Sequence, residues 1–399
     1  MNCQEVEEEK VLEELAQAKR NGDKKGMAAA HVQLGHLHKR AGQLEQADAA
    51  YQRARVLAEE LGNVQLKADA YSGWGLLWEV QGDLGRAWQL LMASYEINKT
   101  SEDRARLADN YSNLGFLAQM QDNFADAERL YGYALHLREE LADEAGRAVD
   151  YGNMGNLFFA RGQLDRALAY LEKSLNTYRA IDDRAGMANQ YQSLARVYMV
   201  QGETARAEEL LHQALALDEP LDRLEGLGLE YGTLGQIYLQ TERFDEAESM
   251  YRKALSVQER LGHKRNQANA AGYLSVVYQK RQAHQSATEM AHQSLQLFEE
   301  IEDMQGIAWQ AGLLAELYCA EGSFERAEQM YRKCLIYQKS LGNDEACAAA
   351  HVWLGAMYAT WGKRYDAILN WKQAQEIFRQ LGQIEQAENL EKMIAGASL

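Results

Sequence analysis

Residues 231–254 read YGTLGQIYLQTERFDEAESMYRKA. Tyr231, Leu234, Gly235 and Tyr238 fall at offsets of three, four and seven, and Ala247, Tyr251 and Ala254 repeat that spacing. Such offsets put side chains on one face of an α-helix. The small Gly235 lets two helix backbones approach, and the large residues beside it fill the remaining space. The stretch therefore reads as two helices packed face to face.

Outward from this hairpin, a shift of 40 residues aligns the sequence with itself along almost its whole length. One column is alanine without exception: Ala47, Ala87, Ala127, Ala167, Ala207, Ala247, Ala287, Ala327 and Ala367. A second is small throughout: Gly35, Gly75, Gly115, Gly155, Ala195, Gly235, Ser275, Ala315 and Gly355. Large apolar residues precede it (Leu34, Trp74, Leu114, Met154), and mostly aromatic ones follow three places later (Trp78, Phe158, Tyr198, Tyr238). In the third copy Asp103 is expected to cap a helix running to Met120, Gln121 to Asn123 to turn, and Phe124 to Glu140 to form the second helix. Between copies, Gly62, Gly262 and Gly342 end helices, while Asn63, Asp143, Asp183, Asp303 and Asn343 start them.

These columns, at the spacing of Tyr231, Leu234, Gly235, Tyr238, Ala247, Tyr251 and Ala254, resemble the tetratricopeptide repeat. The 40-residue period is longer than the family's usual 34. With the Asn113-Leu114-Gly115 signature, it resembles Pins/LGN-type adaptors, bacterial Rap-type regulators and MalT-like sensor domains. The resemblance implies an all-α, right-handed superhelical solenoid of nine helical hairpins over residues 28–381. Capping helices are expected over 1–27, with Val11, Leu12, Leu15 and Ala18 inward, and over 382–399, with Ile384, Ala387, Leu390 and Ile394 inward.

Composition agrees with near-continuous helix, since the only proline in 399 residues is Pro220 and proline costs about 3 kcal/mol inside a helix. The net charge of −17 argues against nucleic acid, which needs a basic stripe. Neither a secretory signal nor an apolar run long enough for a bilayer is read, so no membrane insertion and a cytoplasmic location are expected. Cys3, Cys319, Cys334 and Cys347 include no C-x-x-C pair and read as core residues or free thiols.

No catalytic constellation is found, so the chain is not expected to be an enzyme, and no cofactor is expected. His31, His36 and His38 lack the spacing of a zinc motif, and His31 and His38 fall in aromatic columns, so packing rather than a metal site is read there. The acidic pairs Glu59-Glu60 and Glu139-Glu140 read as solvated helix ends.

By the resemblance, the first helix of each hairpin lines a concave groove through its second, fifth, sixth, ninth and twelfth positions, counted from Ala28, Ala68, Ala108 and onward. That implies a peptide-binding surface of Asp69, Asp109, Asn113, Asn153, Asn156, Asn189, Arg196, Gln236, Asn269, Tyr273, Trp309, Glu316 and Trp353, with His36 and Lys39 at its edge. Ser72, Ser112, Gly152, Gly232, Gly272 and Gly312 are expected to keep it open. Side-chain amides donate and accept together, which suits a peptide backbone, and aromatics supply anchoring area. Asn113, Asn153 and Asn156 resemble the asparagine ladder of LGN-type grooves. The expected partner is a protein or peptide. The alternatives are a scaffold that assembles with itself as a homo-oligomer, and a sensor of a peptide or small molecule.

Overall fold

The structure, a computed structural model, describes residues 3–398, with side chains described from 6 to 397. Cys3 thus falls outside the described side chains. The first helix is Cys3–Arg20 (α1). Hairpins then follow in order: Lys24–Arg40 (α2) with Leu44–Glu60 (α3), Val64–Val80 (α4) with Leu84–Lys99 (α5), Arg104–Met120 (α6) with Phe124–Glu140 (α7), and Glu144–Ala160 (α8) with Leu164–Ala180 (α9). Arg184–Val200 (α10) and Thr204–Asp218 (α11) come next. They are followed by Leu224–Gln240 (α12) with Phe244–Leu261 (α13), Lys264–Lys280 (α14) with His284–Glu300 (α15), Met304–Ala320 (α16) with Phe324–Ser340 (α17), and Asp344–Thr360 (α18) with Arg364–Gln380 (α19). Ile384–Ser398 (α20) is last. Among the described residues there is no strand, and the protein is an all-α array of antiparallel helix pairs. It falls into two compact units, Met1–Leu210 and Leu211–Leu399.

The turns recur on a beat of twenty. From residue 22 to residue 382, every twentieth residue except Glu102 adopts a positive φ, glycine at most places and Asp122, Ala142, Asp182, Asp222, Glu242, Gln282 and Glu302 at the others. Caps set the starts. The side chains of Asn63, Asp103, Asp143, Asp183, Asp303 and Asn343 each accept a backbone N–H of the first turn. The hairpin read over residues 103–140 has the bounds expected of it.

The alanine column is the spine of each hairpin: Ala47, Ala87, Ala127 and Ala167 are fully buried in the first unit, and Ala247, Ala287, Ala327 and Ala367 in the second. The glycine column serves close approach. A Cβ on Gly155 would lie 2.6 Å from the Leu171 side chain, and one on Gly235 would lie 2.8 Å from the Tyr251 ring. Leu171 and Tyr251 are at most 1 % exposed, and burying such side chains contributes about 1.5–3 kcal/mol each.

At the ends, Val11 and Leu15 pack with Ala30, Leu34 and Leu37, while Leu12, expected inward, is 47 % exposed. Val11, Leu15 and Ala18 already make the buried stripe, and Leu12 falls outside its arc. In α20, Ala387 and Leu390 are buried, whereas Ile384, expected inward, is 55 % exposed. It is the first residue of its helix. Gln375 of α19 donates to the Ala387 carbonyl at 3.1 Å, seating α20 on its own neighbour.

Candidate functional site

In the first unit, α6 and α8 share a pocket of ≈ 700 Å³ lined by Ser72, Asp109, Ser112, Asn113, Phe116, Arg138, Val149 and Asn153 among others. Its polar floor is wired from below. Arg138, from α7, donates to Asp109 and, at 2.7 Å, to Asp143, and its Nε lies 3.7 Å from Asp150 Oδ2. The other Asp150 oxygen accepts the Ser112 hydroxyl at 2.6 Å. Asp150 has no exposed surface, and burial pushes its carboxyl up to about 6 against the pull of Ser112 and Arg138. The rim is different. The Asn113 and Asn153 amides have no protein partner among the described residues, and Phe116 and Val149 are 37 % and 47 % exposed. Free amides beside exposed apolar side chains can pair with a chain's backbone and cover its side chains at once.

Two pockets of the second unit bear on the expected groove. One of ≈ 210 Å³ joins Gln236 and Asn269 with Tyr251, Gln258, Asn266 and Tyr273. Tyr273 stacks on Tyr251 at 5.3 Å, and the Trp309 ring lies 5.2 Å from Tyr273. The other, of ≈ 380 Å³, sets Trp353, which is 54 % exposed, beside Glu316, Tyr331 and Met357.

The expected groove residues thus divide. Asp109, Asn113 and Asn153 come together, as do Gln236, Asn269 and Tyr273, while Trp353 lines its own pocket. Asn156, Asn189 and Arg196 line none of these, and Arg196 lies over the Phe159 ring at 5.0 Å. Asp69 is engaged within the fold by Arg106, 2.8 Å away. Trp309, expected as an open anchor, is half-buried between Tyr273 and Phe298. The small fifth position has mixed uses. A Cβ on Gly232 would meet nothing within 4 Å, but one on Gly272 would lie 2.4 Å from Gln310 and 2.8 Å from Trp309. Gly272 therefore makes room for α16 and does not keep a groove open. His31 is buried, His36 meets the Tyr51 hydroxyl at 2.9 Å, and His38 pairs with Gln43 at 2.7 Å.

Family models described as tetratricopeptide repeat match residues 28–54, 107–144, 147–220, 229–300 and 311–342. Together they span more than half of the chain. The chain belongs to the tetratricopeptide-repeat family. No curated protein sequence matches it. Among solved structures, it is similar to a signal-transduction ATPase with a tetratricopeptide repeat sensor from Pyrococcus horikoshii, at 17 % identity and TM-score 0.67, over 90 % of this chain and 55 % of that one. The apo quorum sensor NprR from B. thuringiensis matches at 13 % identity and TM-score 0.59, over 93 % and 98 %. Apo RapI matches at 15 % identity and TM-score 0.51, over 69 % and 99 %. At these identities the likeness is one of fold. No helix among the described residues is long and apolar enough to cross a membrane.

A second polar column in the tetratricopeptide array escaped the sequence reading. Asn110, Asp150, Gln190, Glu230 and Gln310 stand two residues after a small residue, Ala108, Ala148, Ala188, Gly228 and Ala308 in turn, and are at most 7 % exposed. Each lies twelve residues after the C-terminal part of the preceding helix. Asn98 thereby donates to Asn110 at 2.6 Å in the first unit. In the second unit Asp218 is hydrogen-bonded to Glu230 and to Arg223, and burial pushes the Asp218 carboxyl up. The signal was present as a 40-residue beat of polar residues inside an apolar helical face.

Proposed function

We propose that this tetratricopeptide array is a peptide-binding adaptor or sensor whose first-helix faces capture a segment of a partner protein. The supporting observation is the first unit's pocket, where unpartnered amides of Asn113 and Asn153 flank exposed Phe116 and Val149. Buried polar groups are ordinarily satisfied within a protein, as the Ser112 hydroxyl is just beneath, donating to Asp150. Amides left unpaired in a concavity are available to a ligand backbone. NprR is described as a quorum sensor, and the P. horikoshii protein carries its repeats as a sensor, which is compatible with this reading. The net charge of −17 favours a basic segment.

The test is capture of partners from native lysate on immobilised protein, identified by mass spectrometry, beside the Asn113→Ala/Phe116→Ala/Asn153→Ala variant. These half-exposed residues make no bond within the fold, so the variant should melt within a few degrees of the parent. A partner held by the parent and lost by the variant is expected. Identical partner sets on both would remove the pocket from the account.

A further inference from the structure

One column of the second helices carries tyrosine in four repeats: Tyr51, Tyr131, Tyr251 and Tyr331. All four are at most 4 % exposed, so each hydroxyl requires a partner within the fold. Three have one. Tyr51 meets His36 at 2.9 Å, Tyr131 donates to Gln119 at 3.3 Å, and Tyr331 is hydrogen-bonded with the Cys319 thiol. The Tyr251 hydroxyl has none. Two sequence changes explain it. Leu239 stands at the register of Gln119 and Cys319 and offers no polar atom. Gln236 stands at the register of His36, in the same pocket wall as Tyr251 but not bonded to it.

That wall has a consistent chemistry. Its polar side chains are Thr233, Gln236, Tyr251, Gln258, Asn266 and Asn269 with Tyr273, and none is charged. The Gln236 and Asn269 amides, like the Tyr251 hydroxyl, have no partner among the described residues. Gly232 leaves the space above open. A volume of ≈ 210 Å³ exceeds the roughly 150 Å³ that admits a benzene ring, so one side chain fits. A charged group would be left unpaired there at a cost, and an apolar one would leave the three unpartnered groups unsatisfied.

The structure assigns to this pocket, resting on the groove reading above, a subsite for one uncharged side chain that both donates and accepts, a carboxamide in the first instance, on a bound peptide. Tyr251 and the Gln236 and Asn269 amides hold it, and the Tyr273 ring forms one side.

The probes are N-acetyl methylamides of glutamine, its charged isostere glutamate, and leucine, each titrated against the full chain by saturation-transfer NMR. The glutamine probe should bind saturably and more tightly than the other two. Gly232→Leu, which fills open space and replaces a helical glycine, should abolish its binding. Tyr251→Phe should weaken it about three- to tenfold, the worth of one hydrogen bond. It should also raise the melting temperature slightly, because an unpaired buried hydroxyl is gone. A purely structural tyrosine predicts the opposite, a lower melting temperature, as expected of Tyr131→Phe. Equal binding of all three probes, binding unchanged in Gly232→Leu, or no saturable binding of glutamine would each overturn the assignment. The groove reading is tested on Asn113, Phe116 and Asn153 in the first unit, so the two can fail separately.

Discussion

Asp150 couples the first unit's pocket to pH. Its carboxyl is buried and raised from an ordinary 3.8 to about 6, so the folded chain holds a proton that the unfolded chain has already released. Stability is therefore unpenalised below the ordinary value and falls as pH rises towards 6, by up to about 3 kcal/mol. Asp150→Asn keeps an acceptor for Ser112 and removes that penalty, while Arg138 retains Asp109 and Asp143. The variant should melt higher than the parent at pH 7.5, with the gap closing near pH 4. A gap of the same size at both pH values would contradict the account. The sequence alone did not expose this residue. Asp150 stands in a helical face beside Ala148 and Gly152 and reads as one more polar side chain. Only the fold shows that its neighbours on every side are protein.

At the scale of elements, the left-handed turn residue every twentieth place fixes where each helix stops. Where it is not glycine the backbone is strained, at about 1–2 kcal/mol for an L-residue. Gln282 has φ 60° in the turn between α14 and α15. Gln282→Gly should therefore raise the melting temperature, by about 1 kcal/mol of stability after the greater freedom glycine has when unfolded. Gly262→Ala, at φ 70°, should lower it. Opposite signs would mean that the turns are set by packing and not by local conformation. The helices themselves were legible, because alanine, glycine and cap columns recur in phase. The inner faces were less so. Gly232 and Gly272 share a column, yet one faces open space and the other a tryptophan, and the difference lies in what the neighbouring helix brings. Spacing alone puts Leu12 and Ile384 inward, yet both are exposed.

At the scale of the molecule, each hairpin is stabilised by its immediate neighbours, as in repeat proteins generally. A Cβ on Gly235 would meet the Tyr251 ring at 2.8 Å, so Gly235→Val should force α12 from α13. Hydrogen exchange should then quicken over residues 224–261 and the adjoining helices and stay unchanged over 24–60. Uniform quickening would show a single cooperative core. The central claim, that the first-helix faces are where a partner binds, has a direct test in photo-crosslinking. Phe116→p-benzoylphenylalanine places the probe at the rim of the first unit's pocket, and Val56→p-benzoylphenylalanine places it on α3, a second helix, at a site 43 % exposed. Both are irradiated in native lysate and the adducts identified by mass spectrometry. The account predicts one discrete partner adduct at position 116 and none at 56. Equal adducts at both, or an adduct at 56 alone, would contradict it.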